Sequence, residues 1–202
     1  RFKVGRDVAT TPGKVVLRNR LVELIRYDAQ TRTVHAEPVF IVPSWINKYY
    51  ILDLSPHNSL VRYLALQGHT VYMLSWLNPD AEDHELTMDD YLQLGIFDAL
   101  ARIGELGGPK PAPVHLAGYC LGGTMVAIAA AALGGQGVVA DAKRLPRLQT
   151  ITLLAAQTDF SEPGELGLFI DESQVAYLRE IMREKGYLTG GQMAGSFQFL
   201  HS

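Results

Sequence analysis

The 202 residues are 48% hydrophobic and carry a formal net charge of −3, enough for one ordinary domain with a sizeable core and with no basic excess that would favour a nucleic-acid partner. A single cysteine excludes an internal disulfide framework and suits a reducing compartment. No stretch of about eighteen uninterrupted apolar residues exists to cross a membrane, and the polar opening Arg1 to Asp7 does not read as a signal peptide.

Val4 to Lys14 is a turn-rich lead-in with Thr11-Pro12-Gly13, and Val15 to Tyr27 contains one or two strands. Val39 to Val42 reads as a buried parallel strand stopped by Pro43, followed by the aromatic-rich loop Ser44 to Tyr50. Ser55 to Gln67 is expected to be helical, with Ser55 as N-cap, Pro56 in the first turn and Gly68 ending it. Thr70 to Trp76 is another buried strand. Thr87 to Leu106 is a second helix, stopped by Gly107-Gly108-Pro109. Val114 to Ala117 is a strand, Thr124 to Leu133 a small-residue helix, and Leu148 to Ala155 a further strand. Gly134 to Gly137 reads as a loop, because a phosphate cradle should follow a strand and open a helix. Glu172 to Gly186 is a helix with Val175, Leu178, Ile181 and Met182 on one side, either a lid over a site or a further surface helix. Alternation of strand and helix specifies an α/β fold, a mostly parallel sheet with helices on both faces.

The chemistry concentrates at Gly118-Tyr119-Cys120-Leu121-Gly122-Gly123, between a strand and a helix. This is the context of the nucleophile elbow of α/β-hydrolases, with Cys120 in place of serine. A strained turn aims the nucleophile away from the sheet, so Gly118 and Gly122 must be nearly free of side chain. Gly123 lets helix and strand approach. The helix N-terminus favours a thiolate. In this fold the residue after the nucleophile gives one backbone N–H to the oxyanion, here Leu121. Within the chain, Asp159, which follows a strand, and His201, the single histidine after Cys120, could serve as acid and base; the other five histidines, His35, His57, His69, His84 and His115, all precede it. Of these, His57 and His84 read as solvent-exposed, His69 as packing or capping, and His115 as buried. No cluster of His, Cys and carboxylate has metal-ligand spacing, and there is no dinucleotide fingerprint.

The Cys-containing box resembles that of the polyhydroxyalkanoate synthases. The resemblance extends through Val42 to Leu54, Ser59 to Arg62, Gln67 to Val71, Ser75 to Asp80, Asp7 to Gly13, Asp159-Phe160 and Phe169 to Glu172. Tyr119 and Gly122-Gly123 fit the short-chain single-subunit class. The resemblance implies an acyltransferase that polymerises (R)-3-hydroxyacyl-CoA, 3-hydroxybutyryl-CoA above all, with release of coenzyme A. It implies no cofactor and no metal, coenzyme A thioester being the substrate. It also implies a homodimer in the cytoplasm, on the surface of polyester granules around the growing chain. It places the second oxyanion N–H at Ile46 and the catalytic acid and base beyond Ser202. Residues 1–160 would then be the N-terminal part of a truncated α/β-hydrolase domain and 161–202 the start of a lid or cap, the C-terminal part of the catalytic domain being absent. A cysteine at the elbow suits this chemistry, because a thioester intermediate keeps the acyl group activated for transfer to a hydroxyl. A cysteine-dependent thioesterase of the same fold, or an inactive granule-associated relic, would carry the same box.

Overall fold

The computed structural model describes residues 2–135, 139, 142–162, 164, 167 and 171–191. Its first unit, residues 1–77 and 88–157, is built on a six-stranded sheet. The strands are β1 (Gly13–Arg18), β2 (Val22–Tyr27), β3 (Val39–Val42), β6 (Val71–Trp76), β7 (Val114–Tyr119) and β8 (Leu148–Leu154), with β4 (Asp53–Ser55) and β5 (Asn58–Ser59) forming a separate short hairpin. The spatial order is β1-β2-β6-β3-β7-β8, and β2 alone runs against the others.

The inner strands are apolar on both faces, as a parallel sheet between helical layers requires. Ile25, Tyr27, Val39, Ile41, Val71 and Met73 pack on one face with Val61 of α1 (Leu60–Leu66). Leu24, Phe40, Leu74 and Leu116, one residue out of phase, are fully buried on the other. At the far edge β8 is mostly exposed, including Ile151 and Leu153.

The expected helix from Ser55 starts later. Ser55 and Pro56 belong to the β4–β5 hairpin, and the N-cap is Ser59, whose Oγ accepts from Arg62 N–H at 2.9 Å. The cause is Asp53, fully buried, whose carboxylate accepts from Ser59 Oγ (2.7 Å), Thr11 Oγ (2.7 Å) and Thr11 N–H (3.1 Å). A buried charge needs such partners, and meeting them folds the chain back before the helix can begin. The lead-in at Thr11, 42 residues away, and the β4–β5 hairpin thus meet at one carboxylate.

The second expected helix is present as α2 (Met88–Asp90), a π-helical stretch (Tyr91–Phe97) and α3 (Asp98–Leu106) in succession. The π stretch was not anticipated; π-turns inside helices concentrate at functional sites. The helix after Cys120 is α4 (Leu121–Gly134).

The second unit comprises residues 78–87 and 158–202, so a short segment between β6 and α2 joins the region expected to begin at 161. Its helix α5 (Glu172–Lys185) is capped by the Asp171 carboxylate and ends at Gly186 in the left-handed conformation (φ 80°). A side chain at Gly186 would press on His84 and Ala81, which fixes the 81–84 turn against the end of α5. Gln136, Gly137, Phe169, Phe197, Phe199 and His201 lie outside the described residues.

Candidate active site

Cys120 stands between β7 and α4 with φ 55° and ψ −127°, a conformation a side-chain-bearing residue adopts at a cost of about 1–3 kcal/mol. The surrounding structure holds it there. Its N–H donates to Leu154 O at 2.9 Å, and its carbonyl accepts from Gly123 N–H at 2.9 Å. The residue is half-buried, so its thiol is not sealed into the core.

Each glycine of the box has a steric reason. A Cβ on Gly118 would lie 2.4 Å from the Gly123 Cα, and one on Gly123 would lie 2.4 Å from the Ala156 Cβ. A Cβ on Gly122 would lie 2.2 Å from Val42 O and 2.6 Å from Pro43 O. The first turn of α4 therefore rests directly on the backbone where β3 ends. That contact brings Leu121 and the loop carrying Ile46 to the same end of the sheet. As the first residue of α4, Leu121 presents an N–H that the helix itself cannot satisfy. The Ile46 N–H donates to the fully buried Ser44 Oγ at 3.3 Å, a long bond.

Sequence reasoning missed the groups around that loop. Trp76, at the end of β6 and 8% exposed, donates its indole N–H to Pro43 O at 2.8 Å. Its ring stacks on Tyr91 (centroids 5.2 Å apart, 28°), and Trp45 meets both rings edge-on at 6.3 and 5.5 Å. A Cβ on Gly95 would fall 2.5 Å from the Trp76 Cη2. A glycine in mid-helix was the available signal, since such a glycine usually has a packing reason.

Asp159 is exposed and belongs to the second unit; hydrogen bonds from Ser161 hold its carboxyl below the usual carboxylate range. His57 and His84 are exposed as expected. His115 is half-buried, not buried; it lies beside the exposed edge strand β8, where the Thr150 Oγ is 2.8 Å from its Nδ1. His69 packs beside His35 with ring centroids 4.7 Å apart. Among the described residues there is no group of three or more potential metal ligands, and no helix is long and apolar enough to cross a membrane.

Residues 1–64 match the model of the poly-beta-hydroxybutyrate polymerase N-terminus, and residues 37–200 match that of the alpha/beta hydrolase fold. The chain is 43% identical over 199 residues to a poly(3-hydroxyalkanoate) polymerase of Methylorubrum extorquens, covering 98% of this chain and 31% of that one. It is 42% identical over 202 residues to a poly(3-hydroxyalkanoate) polymerase subunit of Rhizobium etli, covering all of this chain and 30% of that one. It thus spans about a third of the length of these curated relatives. Esterase B of Lactobacillus rhamnosis, in an inhibited form, superposes with a TM-score of 0.52 at 19% identity over 87% of this chain and 57% of that one, which is a likeness of fold.

Proposed function

The chain belongs to the alpha/beta hydrolase fold family and, within it, to the poly(3-hydroxyalkanoate) polymerases, and we propose on that premise that it carries the nucleophile of a polyester-forming acyltransferase. The observation that supports this most is Cys120 itself, held at φ 55° between β7 and α4 with a glycine on either side that tolerates no side chain.

The Cys120 thiolate attacks the thioester carbonyl of an (R)-3-hydroxyacyl-CoA. The carbonyl oxygen becomes an oxyanion that accepts from Leu121 N–H and Ile46 N–H. Collapse breaks the bond to sulfur of coenzyme A, which leaves as a thiolate, and the acyl group stays on Cys120. The hydroxyl of a second acyl unit then attacks that thioester. A histidine general base takes the proton, and an ester bond forms as Cys120 is regenerated. Tyr119 and Gly122-Gly123 favour short acyl groups, 3-hydroxybutyryl first. A homodimer working at the surface of a polyester granule completes the proposal.

The test follows coenzyme A release and the fate of the acyl group at the relatives' full length. Wild type should release coenzyme A and leave its acyl groups as ester-linked oligomers, and Cys120→Ala should do neither. Acyl groups recovered as free hydroxy acid would mean that water is the acceptor and the protein a thioesterase. Undiminished polymer from Cys120→Ala would overturn the assignment.

A further inference from the structure

We propose that Trp76 is a positioning residue for acylation: its indole N–H, holding the Pro43 carbonyl, sets the loop that carries the Ile46 N–H. This rests on the reading that Cys120 is acylated with Ile46 as an oxyanion donor.

Pro43 follows Val42, the last residue of β3, where the chain leaves the sheet. The register of β3 with β6 stops at the pair Ile41–Met73, so the carbonyl of buried Pro43 lies past the last β3–β6 pair. A buried carbonyl without a partner is unfavourable, and the Trp76 side chain supplies the bond at 2.8 Å. The same carbonyl faces Gly122 of α4, so Pro43 is fixed from the elbow side as well. Two residues later the Trp45 ring is wedged edge-on against both Trp76 and Tyr91. Ile46 follows at once. The loop is therefore held on each side of Ser44, by a hydrogen bond at 43 and by ring packing at 45.

The π-helical stretch explains how the Trp76 ring fits. It stacks the Tyr91 ring on Trp76 and places Gly95 against the far edge of the indole, where a methyl group would overlap Cη2 and Cζ3 at 2.5 and 2.9 Å. The irregular helix, its glycine and the tryptophan act as one support. None of them needs to touch the substrate.

A purely structural role predicts that every reaction of the elbow slows together. A role in placing an oxyanion donor predicts that only reactions passing through an oxyanion slow. Alkylation of Cys120 by iodoacetamide displaces iodide and forms no oxyanion, whereas acylation by 3-hydroxybutyryl-CoA does. The experiment replaces Trp76 by benzothienylalanine, which keeps the bicyclic shape and removes the N–H, and adds Trp76→Phe and Gly95→Ala, all at the relatives' full length. Single-turnover coenzyme A release should fall about 10- to 100-fold, as for loop displacements of up to 1 Å. The alkylation rate and the half-saturating substrate concentration should stay within about twofold, the pattern of an interaction felt only in the transition state. Unchanged acylation in the benzothienylalanine variant would overturn the inference while leaving acylation of Cys120 standing. Equal loss of acylation and alkylation would also overturn it, by assigning Trp76 to the general integrity of the elbow. A wild type that alkylates but never acylates at Cys120 would overturn the proposed function and this inference with it.

Discussion

Gly122→Ala is the substitution for which the structure sets the sharpest expectation. Its Cβ would sit 2.2 Å from Val42 O and 2.6 Å from Pro43 O, about 1 Å short of ordinary contact. Both obstacles are backbone at the end of a fully buried strand, so no side-chain rotation relieves them. Either α4 lifts from the sheet or the loop from Pro43 moves. Overpacking of this kind costs about 1–3 kcal/mol, and the rigid partners place this case near the upper end. For a chain of this size about 3 kcal/mol lowers the thermal midpoint by roughly 6–12 °C. The catalytic effect should be larger than the stability effect, because the displaced parts carry Leu121 and Ile46. A 1 Å misplacement costs about 100-fold in rate. Calorimetry and single-turnover coenzyme A release on the same preparations measure both. Gly134→Ala is the control: a Cβ at this last residue of α4 would meet nothing within 4 Å, so its midpoint should hold or rise slightly. A Gly122→Ala protein with wild-type midpoint and wild-type acylation would refute the packing argument at its base.

Other expectations are independent of that contact. Asp53→Ala strands Thr11 and Ser59 and should cost about 2–4 kcal/mol in chemical denaturation, with faster amide exchange at Thr11 and Arg62. The Tyr27 hydroxyl is buried with no hydrogen-bond partner among the described residues, so Tyr27→Phe should leave stability unchanged or raise it by up to about 1 kcal/mol; a clear loss would reveal a partner for it. Burial, assisted by the charges of His35 and His115, holds the His69 imidazole below its ordinary 6.5. The unfolded chain then binds the proton first, so stability is full above pH 6.5 and declines as pH falls below it. His69→Phe should flatten that decline in urea titrations between pH 7 and 5, and an unchanged slope would assign it elsewhere.

Much of the fold was legible because its inner strands are continuous apolar runs between turn residues, as in Val39 to Pro43 and Thr70 to Trp76. The elbow was legible because steric demands act on near neighbours, Gly118, Gly122 and Gly123, and so leave a local mark. Other features were hidden because their causes are distant in sequence. The helix expected from Ser55 begins at Leu60, since a carboxylate at 53 recruits a threonine 42 residues away. The Ser55-Pro56 pair is a sound helix start by local rules, and tertiary demand overrides it. Trp76 and Ser75 stood inside a family-like segment, yet nothing near them in sequence revealed a bond to Pro43, 33 residues earlier. The π stretch left only Gly95 as a trace, and its meaning depends on where the Trp76 ring lies.

The most direct measurement is peptide mapping by mass spectrometry after a rapid acid quench of the protein with one equivalent of 3-hydroxybutyryl-CoA. One hydroxybutyryl group on the peptide containing Cys120, absent from Cys120→Ala, is the predicted result. A modification on any other residue, or none on Cys120 while coenzyme A is released, would contradict the account.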